Sequence, residues 1–502
     1  MITFVTNNTR TKTHFIPIHY INMAAFLESR GVPCHIVELK SNKLASMDGH
    51  ALSQADGVLL DRIKKTNPRY VGLSGYTTEY SYLISLIKRI KEELPNVKVI
   101  IGGIHVTLRP RDLYASGAPV DLIVIGEGEF TLADIMAGMP LEEIPGIAFL
   151  KNGELVINKP RPLSKDLSHI PLPAYEKLDM DYYLSPSQVF RYVWSSGLHI
   201  FTSLGCPYSC TFCANPSLYK AQGAANLVRY KSVQQVIDDI CHLKDRYGLE
   251  AFYFQDDTFT IKKDRVHTIC DEIIGRKLNL LWATESRVNL LDDEMVTTMI
   301  RAGCRHIDLG VESGSQAALV RMKKGTKIED VYNAFALLKR HGMRTGCNML
   351  LDTPGETEKD VRLTQECMKK LKSTIYGTSL TVPFLGTEIY DRYVKPPLTI
   401  EEYKFYENPY LYSTIIDKRF RLSEHKLPIE EILIKVKMKY DYPRIFLDFP
   451  LKWYYLKYLL KSKYKFRILY CVFENLIYQL KNGFRFLISK FIKNRKDPEV
   501  LV

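Results

Sequence analysis

The chain is short of the features that mark special environments. No run among its 502 residues reaches the ~18 uninterrupted apolar positions that a spanning helix requires. Met1–Asn7 reads as a strand, not as the basic segment and apolar stretch of a secretory leader, so the expected setting is the reducing cytoplasm. No repeat at a period of roughly 20–50 residues and no low-complexity tract is present, which sets aside solenoids and propellers. What remains is ordinary: 46% hydrophobic and 25% charged residues, enough chain for two to four domains of roughly 100–200 residues each.

Acidic residues are scarce in one place. Residues 431–495 hold 15 Lys/Arg against 4 Asp/Glu, which accounts for 11 of the net charge of +13, and they also hold 16 aromatic residues. The other 437 residues are nearly neutral. The basic character therefore belongs to a tail, and nucleic acid is a minor option because no RNA-binding module accompanies it. Segments Ile432–Lys437, Phe446–Tyr458 (with Trp453, Tyr454, Tyr455 and Tyr458), Leu469–Leu480 and Phe484–Ile492 read as basic, aromatic helices. Two readings fit and are compatible: peripheral contact with a membrane surface through 431–495, or a helical cap packed on the preceding domain with its lysines solvated.

Residues 1–145 alternate β-rich runs (Ile2–Thr6, His35–Leu39, Tyr70–Ser74, Val97–Ile101, Leu122–Ile125) with amphipathic stretches such as Tyr80–Leu94. That alternation predicts a doubly wound, Rossmann- or flavodoxin-like α/β domain with a parallel sheet. Ligands of such sheets bind beyond the strand carboxyl ends, here Ser74-Gly75-Tyr76, Gly102-Gly103-Ile104-His105 and Gly126-Glu127-Gly128-Glu129. Residues 146–195 read as a hairpin turning at Asn152-Gly153, then a connector marked by Pro160, Pro162, Pro171 and Pro173. Residues 196–390 carry a second series, with strands expected at His199–Leu204, Ala251–Gln255, Leu281–Thr284, His306–Gly310, Arg344–Leu350 and Thr378–Val382. Six βα units without reversal predict a partial (β/α)6 barrel with its chemistry at the strand carboxyl ends. Residues 391–502 form the basic helical C-terminal region.

Seven of the ten cysteines (Cys34, Cys241, Cys270, Cys304, Cys347, Cys367, Cys471) are scattered singly and read as buried thiols. The other three are Cys206, Cys210 and Cys213, a C-x3-C-x2-C loop expected at the end of the barrel's first strand. Such a loop can wrap three thiolates round one face of a four-iron cluster, leaving one iron open to a substrate or cosubstrate. A zinc site would need a fourth ligand, yet no second cysteine pair is present and nearby His199 lies on a strand.

This triplet, with Phe212 before its third cysteine, resembles the signature of radical S-adenosylmethionine (SAM) enzymes. The resemblance implies a 4Fe–4S cluster on Cys206, Cys210 and Cys213, with SAM on the fourth iron as source of a 5′-deoxyadenosyl radical. It also implies SAM contacts from Phe212, from Asp256 or Asp257 to the amino group, and from Glu312 to the ribose; Glu285 and Arg287 are weaker candidates. Asp352-Thr353-Pro354-Gly355-Glu356-Thr357 and Pro383-Phe384-Leu385-Gly386-Thr387 resemble the family's turns after the fifth and sixth strands. The N-terminal domain resembles the cobalamin-binding domain of a large subgroup that includes radical SAM methylases, hopanoid methylases and the anaerobic Mg-protoporphyrin ester cyclase. Ser74, Gly75, Tyr76, Gly102, Gly103, His105, Gly126, Glu127 and Gly128 are its candidate cobalamin contacts, with Tyr76 or Thr77 under the cobalt. The D-x-H-x-x-G motif that supplies a lower histidine ligand elsewhere is absent.

These likenesses imply a cobalamin-dependent radical SAM enzyme methylating an unactivated carbon of a small-molecule or lipid-like substrate. Its reductant would be a flavodoxin or ferredoxin. Oxidative cyclisation or rearrangement without methyl transfer is the alternative, and a non-catalytic metal- or corrinoid-binding module a more distant one.

Overall fold

The structure, a computed structural model, describes residues 1–6, 15–39, 51–186, 196–224, 226–407, 420–441, 453–473 and 477. The first sheet contains β1 (Ile2–Val5), β2 (Cys34–Val37), β3 (Tyr70–Ser74), β4 (Lys98–Gly102), β5 (Leu122–Val124), β6 (Ile147–Lys151) and β7 (Glu154–Ile157). Its order is β2-β1-β3-β4-β5-β6-β7, and the first five strands are parallel. β1 is buried along its whole length because helices cover both faces, as parallel sheets require. The helix Ile18–Glu28 packs on one face and Tyr80–Glu93 on the other, the latter through Leu83, Leu86, Ile87 and Ile90 at helical spacing. The winding reverses between β1 and β3, which opens a crevice at their carboxyl ends.

β6 and β7 form the expected hairpin, and Asn152 and Gly153 both adopt positive φ at its turn. The hairpin pairs antiparallel with β5 and so extends the first sheet. The proline-rich segment after it is fastened to both neighbours. Ala174 N–H donates to the carbonyl of Ile21, Leu167 N–H to that of Tyr230, and the Tyr175 hydroxyl to Asp239 at 2.7 Å.

The second sheet holds β8 (Gly197–Ile200), β11 (Ala251–Phe254), β12 (Leu281–Ser286), β13 (Cys304–Glu312), β14 (Arg344–Leu351) and β15 (Ile375–Leu380). All six are parallel and lie side by side in chain order, and among the described residues β8 and β15 pair on one side only, an open barrel. Phe252, Phe254, Phe259 and Trp282 cluster between sheet and helices, and Trp282 Nε1–H donates to the Ala302 carbonyl at 2.9 Å. Several strand boundaries differ from expectation, the sixth strand running Ile375–Leu380 instead of Thr378–Val382, and at the first strand the cause is visible. The first strand stops at Ile200, and Ser203–Leu204 (β9) pairs antiparallel with Arg229–Tyr230 (β10). The cause is Asp256, which accepts from the N–H and hydroxyl of both Thr202 and Ser203 at 2.5–3.1 Å and draws the chain off the sheet.

The tail packs on the barrel. Ile429 and Leu433 of the helix Ile429–Val436 sit against Leu351, Val361 and Leu380. Tyr455 of the helix Trp453–Lys461, with Ile468 and Cys471 of helical residues 465–473, contacts Ala251, Tyr253 and Ala283. Residues 442–452, 474–476, 478–480 and the stretch Phe484–Ile492 lie outside the described residues. Among the described residues no helix is long and apolar enough to cross a membrane.

Candidate functional site

The cysteine loop emerges beyond β9, where Gly205 (φ +107°) turns the chain. A Cβ on Gly205 would stand 2.0 Å from the Leu227 carbonyl oxygen, so only glycine fits. The loop is pinned on both sides: Thr211 N–H donates to Met322 and its carbonyl accepts from Ile389 N–H, at 3.0 and 3.1 Å. Phe212 packs beside Leu319 and Met322. Cys210 is buried, and Cys206 and Cys213 are half-buried. Burial pushes the Cys206 thiol up and that of Cys213 to about 11.

Among the described residues no group of three His, Cys, Asp or Glu side chains is drawn together tightly enough for a single ion. A closed zinc site asks for such convergence, whereas a cluster of several irons takes thiols spaced round it. A cation stands ready for the charge three thiolates bring. Arg287 Nη1 lies 3.8 Å from Cys210 Sγ, and its guanidinium carbon sits 3.7 Å from the Tyr208 ring centre. Arg287 also donates to the Lys324 carbonyl and to Thr326 Oγ1. The surface ion pair that could have explained Arg287 is absent: the residue is buried beneath the loop.

The two adjacent aspartates separate in role. Asp256 is buried with its carboxylate committed to the four donors of residues 202–203, and burial raises its carboxyl against their lowering pull. Asp257 faces the cysteine loop, accepting from Gly205 N–H at 3.1 Å and from Asn215 Nδ2 at 2.8 Å. Glu312, in positive φ at the end of β13, forms a buried ion pair with Lys324 at 2.8 Å. Glu285 accepts from Gln255 Nε2 at 3.2 Å. Trp282, Ile307, Leu309, Cys347 and Met349 point into the core beneath the helices, so the alternate positions face the barrel lumen. Gln255, Glu285, Asn348 and Ser379 form a half-buried polar layer there, above a buried floor in which Tyr253 donates to Asp308 at 2.8 Å.

In the N-terminal domain a cavity lies at the β1/β3 reversal. Its walls include Tyr20, Met23, Ser74, Gly102, Gly103, Gly126 and Gly128. A Cβ on Gly103 (φ +102°) would come within 2.7 Å of Ser74 Oγ, so the wall stays bare backbone there. A glycine-walled crevice of this kind lets a broad ligand lie against the chain, which fits a corrinoid. Four of the candidate contacts, Gly75, Tyr76, His105 and Glu127, are not among the residues that wall this cavity. His105 is buried between Tyr80 and Tyr403, with Nδ1 3.0 Å from Thr77 Oγ1, and burial lowers it to about 4. Tyr76 is 56% exposed, and Glu127 turns away to the barrel.

Glu127 makes a bidentate pair with Arg229 of β10, whose side chain is completely buried. Gly126 abuts the Gln222 side chain. The crevice mouth is thus fixed against Gln222 and Arg229, which follow the cysteine loop and its helix Asn215–Ala221. Arg229, Lys324 and Asn215 lie in no motif, and Tyr208 occupies a position that the C-x3-C-x2-C spacing leaves open to any residue.

Comparison with known proteins agrees with this layout. Residues 200–368 match the radical SAM superfamily, and residues 2–136 match the B12 binding domain. The chain is 30% identical over 362 residues to an uncharacterised methyltransferase of Pyrococcus horikoshii, covering 69% of this chain and 76% of that one. It is 24% identical to the anaerobic magnesium-protoporphyrin IX monomethyl ester cyclase of Synechocystis, over 61% of this chain and 60% of that one. In fold it resembles the radical SAM methyltransferase TsrM of Kitasatospora setae (TM-score 0.65, 18% identity, 88% and 89% of the two chains). The chain belongs to the radical SAM superfamily, as an enzyme with an N-terminal B12-binding domain whose cofactors are a 4Fe–4S cluster, SAM and cobalamin.

Proposed function

We propose that the protein methylates an unactivated carbon of a small-molecule substrate held in the barrel lumen. The observation that carries this reading is the junction. The glycine-walled crevice and the cysteine loop are joined by Glu127–Arg229 and Gly126–Gln222, so two cofactor sites open toward one space. When bound, the cluster with SAM supplies hydrogen abstraction and cobalamin supplies the methyl group.

The chain's residues prepare that space. Cys206, Cys210 and Cys213 hold the cluster, and Arg287 offsets the negative charge of the thiolates. Asp257 is the carboxylate beside the loop and serves the SAM ammonium, while Asp256 positions the loop through residues 202–203. Glu312, steadied by Lys324, accepts from the ribose hydroxyls, and Phe212 and Glu285 complete the SAM seat. Ser74, Gly102, Gly103, Gly126 and Gly128 line the cobalamin crevice. The polar layer of Gln255, Glu285, Asn348 and Ser379 orients the substrate by hydrogen bonds. A small flavodoxin- or ferredoxin-type protein is the electron donor, and the reducing cytoplasm the setting. The likeness to the Synechocystis cyclase favours a second reading, ring closure without methyl transfer.

Anaerobic reconstitution with iron and sulfide should yield a brown protein that cleaves SAM when reduced and takes up hydroxocobalamin. Each of Cys206→Ala, Cys210→Ala and Cys213→Ala should abolish cleavage. Intact cleavage in these variants would overturn the enzyme reading, and failure to take up hydroxocobalamin would overturn methyl transfer. Label from the SAM methyl group absent from product would favour the cyclase.

A further inference from the structure

Residues 453–473 have two opposed faces. Tyr455, Ile468 and Cys471 point inward and fill the barrel's lower end. Glu250, just before β11, ties the same segment down, accepting from the Tyr458 hydroxyl (2.9 Å), Ser462 Oγ (2.6 Å) and Lys463 N–H (3.1 Å). The outward face carries Trp453, Leu456 and Leu460 on one segment and Phe466, Leu469 and Phe473 on the next. Each set has i, i+3, i+7 spacing, a single helical stripe. Trp453 is 74% exposed, Leu460 68% and Phe466 76%. Lys457, Lys461, Lys463, Lys465 and Arg467 flank these stripes, and no Asp or Glu occurs between 453 and 473.

We infer that this face is a docking surface for an anionic lipid bilayer. Exposed apolar side chains gathered in such stripes mark an interaction site. Charge selects the occupant. A second copy meeting this face about a twofold axis would set cations against cations. Phosphates of a nucleic acid would suit the lysines but leave Leu456, Leu460 and Leu469 without a partner. Anionic headgroups with acyl chains beneath them satisfy both, with the helices lying in the plane of the interface. The inference stands independently of the methyl-transfer reading.

The test is flotation of the full-length reconstituted protein with vesicles of phosphatidylcholine alone and of phosphatidylcholine with phosphatidylglycerol. Binding should be confined to the anionic vesicles and weaken with salt. Trp453→Ser, Leu460→Ser and Phe466→Ser together should lower partitioning on the order of tenfold or more. Lys457→Glu with Lys461→Glu should lower it by about fivefold per charge removed. All these side chains are exposed, so melting temperature and iron content should stay at wild-type values and report that the fold is kept. Wild-type protein that does not float with anionic vesicles overturns the inference, as does flotation unchanged in the serine variant. So does a dimer or a DNA complex in vesicle-free buffer that the same substitutions dissolve.

Discussion

Gly205 decides where the first cysteine points. Alanine there would meet the Leu227 carbonyl and a backbone angle that L-residues avoid, so the loop must shift. Gly205→Ala is expected to fold yet retain far less iron and sulfide after reconstitution, which metal analysis beside circular dichroism measures. Glu356 gives a second prediction at this scale. It accepts from Asp352 N–H (2.9 Å) and Thr353 Oγ1 (3.2 Å), lies 3.3 Å from His425 Nε2, and burial pushes it up to about 7. The folded protein therefore holds a proton that the unfolded chain gives up near pH ~4.3. Its contribution to stability is complete below that value and is lost as pH rises through about 7, on the order of 3 kcal/mol. Glu356→Gln should flatten that loss in urea titrations at about pH 5 and about pH 8; an unchanged difference would reject the assignment. The cysteines and glycine pairs were readable because spacing along the chain carries their geometry. Asp256 and Asp257 were not separable, because neighbours at one strand end differ only in side-chain direction.

Among the elements, the two-residue strand β10 has weight beyond its length. It presents Arg229 to Glu127 and so binds the first domain to the second. Glu127→Ala leaves a buried guanidinium unpaired, which costs about 3–5 kcal/mol. Calorimetry should then resolve two transitions where the wild type shows one, and proteolysis should begin in the proline-rich connector. A single transition at the wild-type temperature would mean that other contacts hold the domains. The long alternating segments announced the major strands, since period and turn chemistry are local. β9 and β10 gave no such signal: their pairing follows from Asp256 reaching back some fifty residues. Arg229 and Lys324 stayed hidden for the same reason, each defined by a partner distant in sequence or by a loop conformation.

For the whole molecule, the tail serves as the barrel's lower wall. Truncation after Asp441 would strip Ala251, Tyr253 and Ala283 of their cover and release Glu250 from its three donors. Such a chain should melt at lower temperature and bind a hydrophobic dye; equal melting would deny the tail a structural part. The net charge located this appendage but not its seat, which depends on how Tyr455, Ile468 and Cys471 meet strands some two hundred residues earlier. The seat has a directional consequence. Residues 453–473 of the tail lie at the amino ends of β8 and β11, whereas the cysteine loop and the crevice lie at the carboxyl ends. A molecule moored by that tail keeps its closed end on the bilayer and its open end in the water. The membrane would then be an anchorage, and whatever enters the barrel would arrive from the aqueous side.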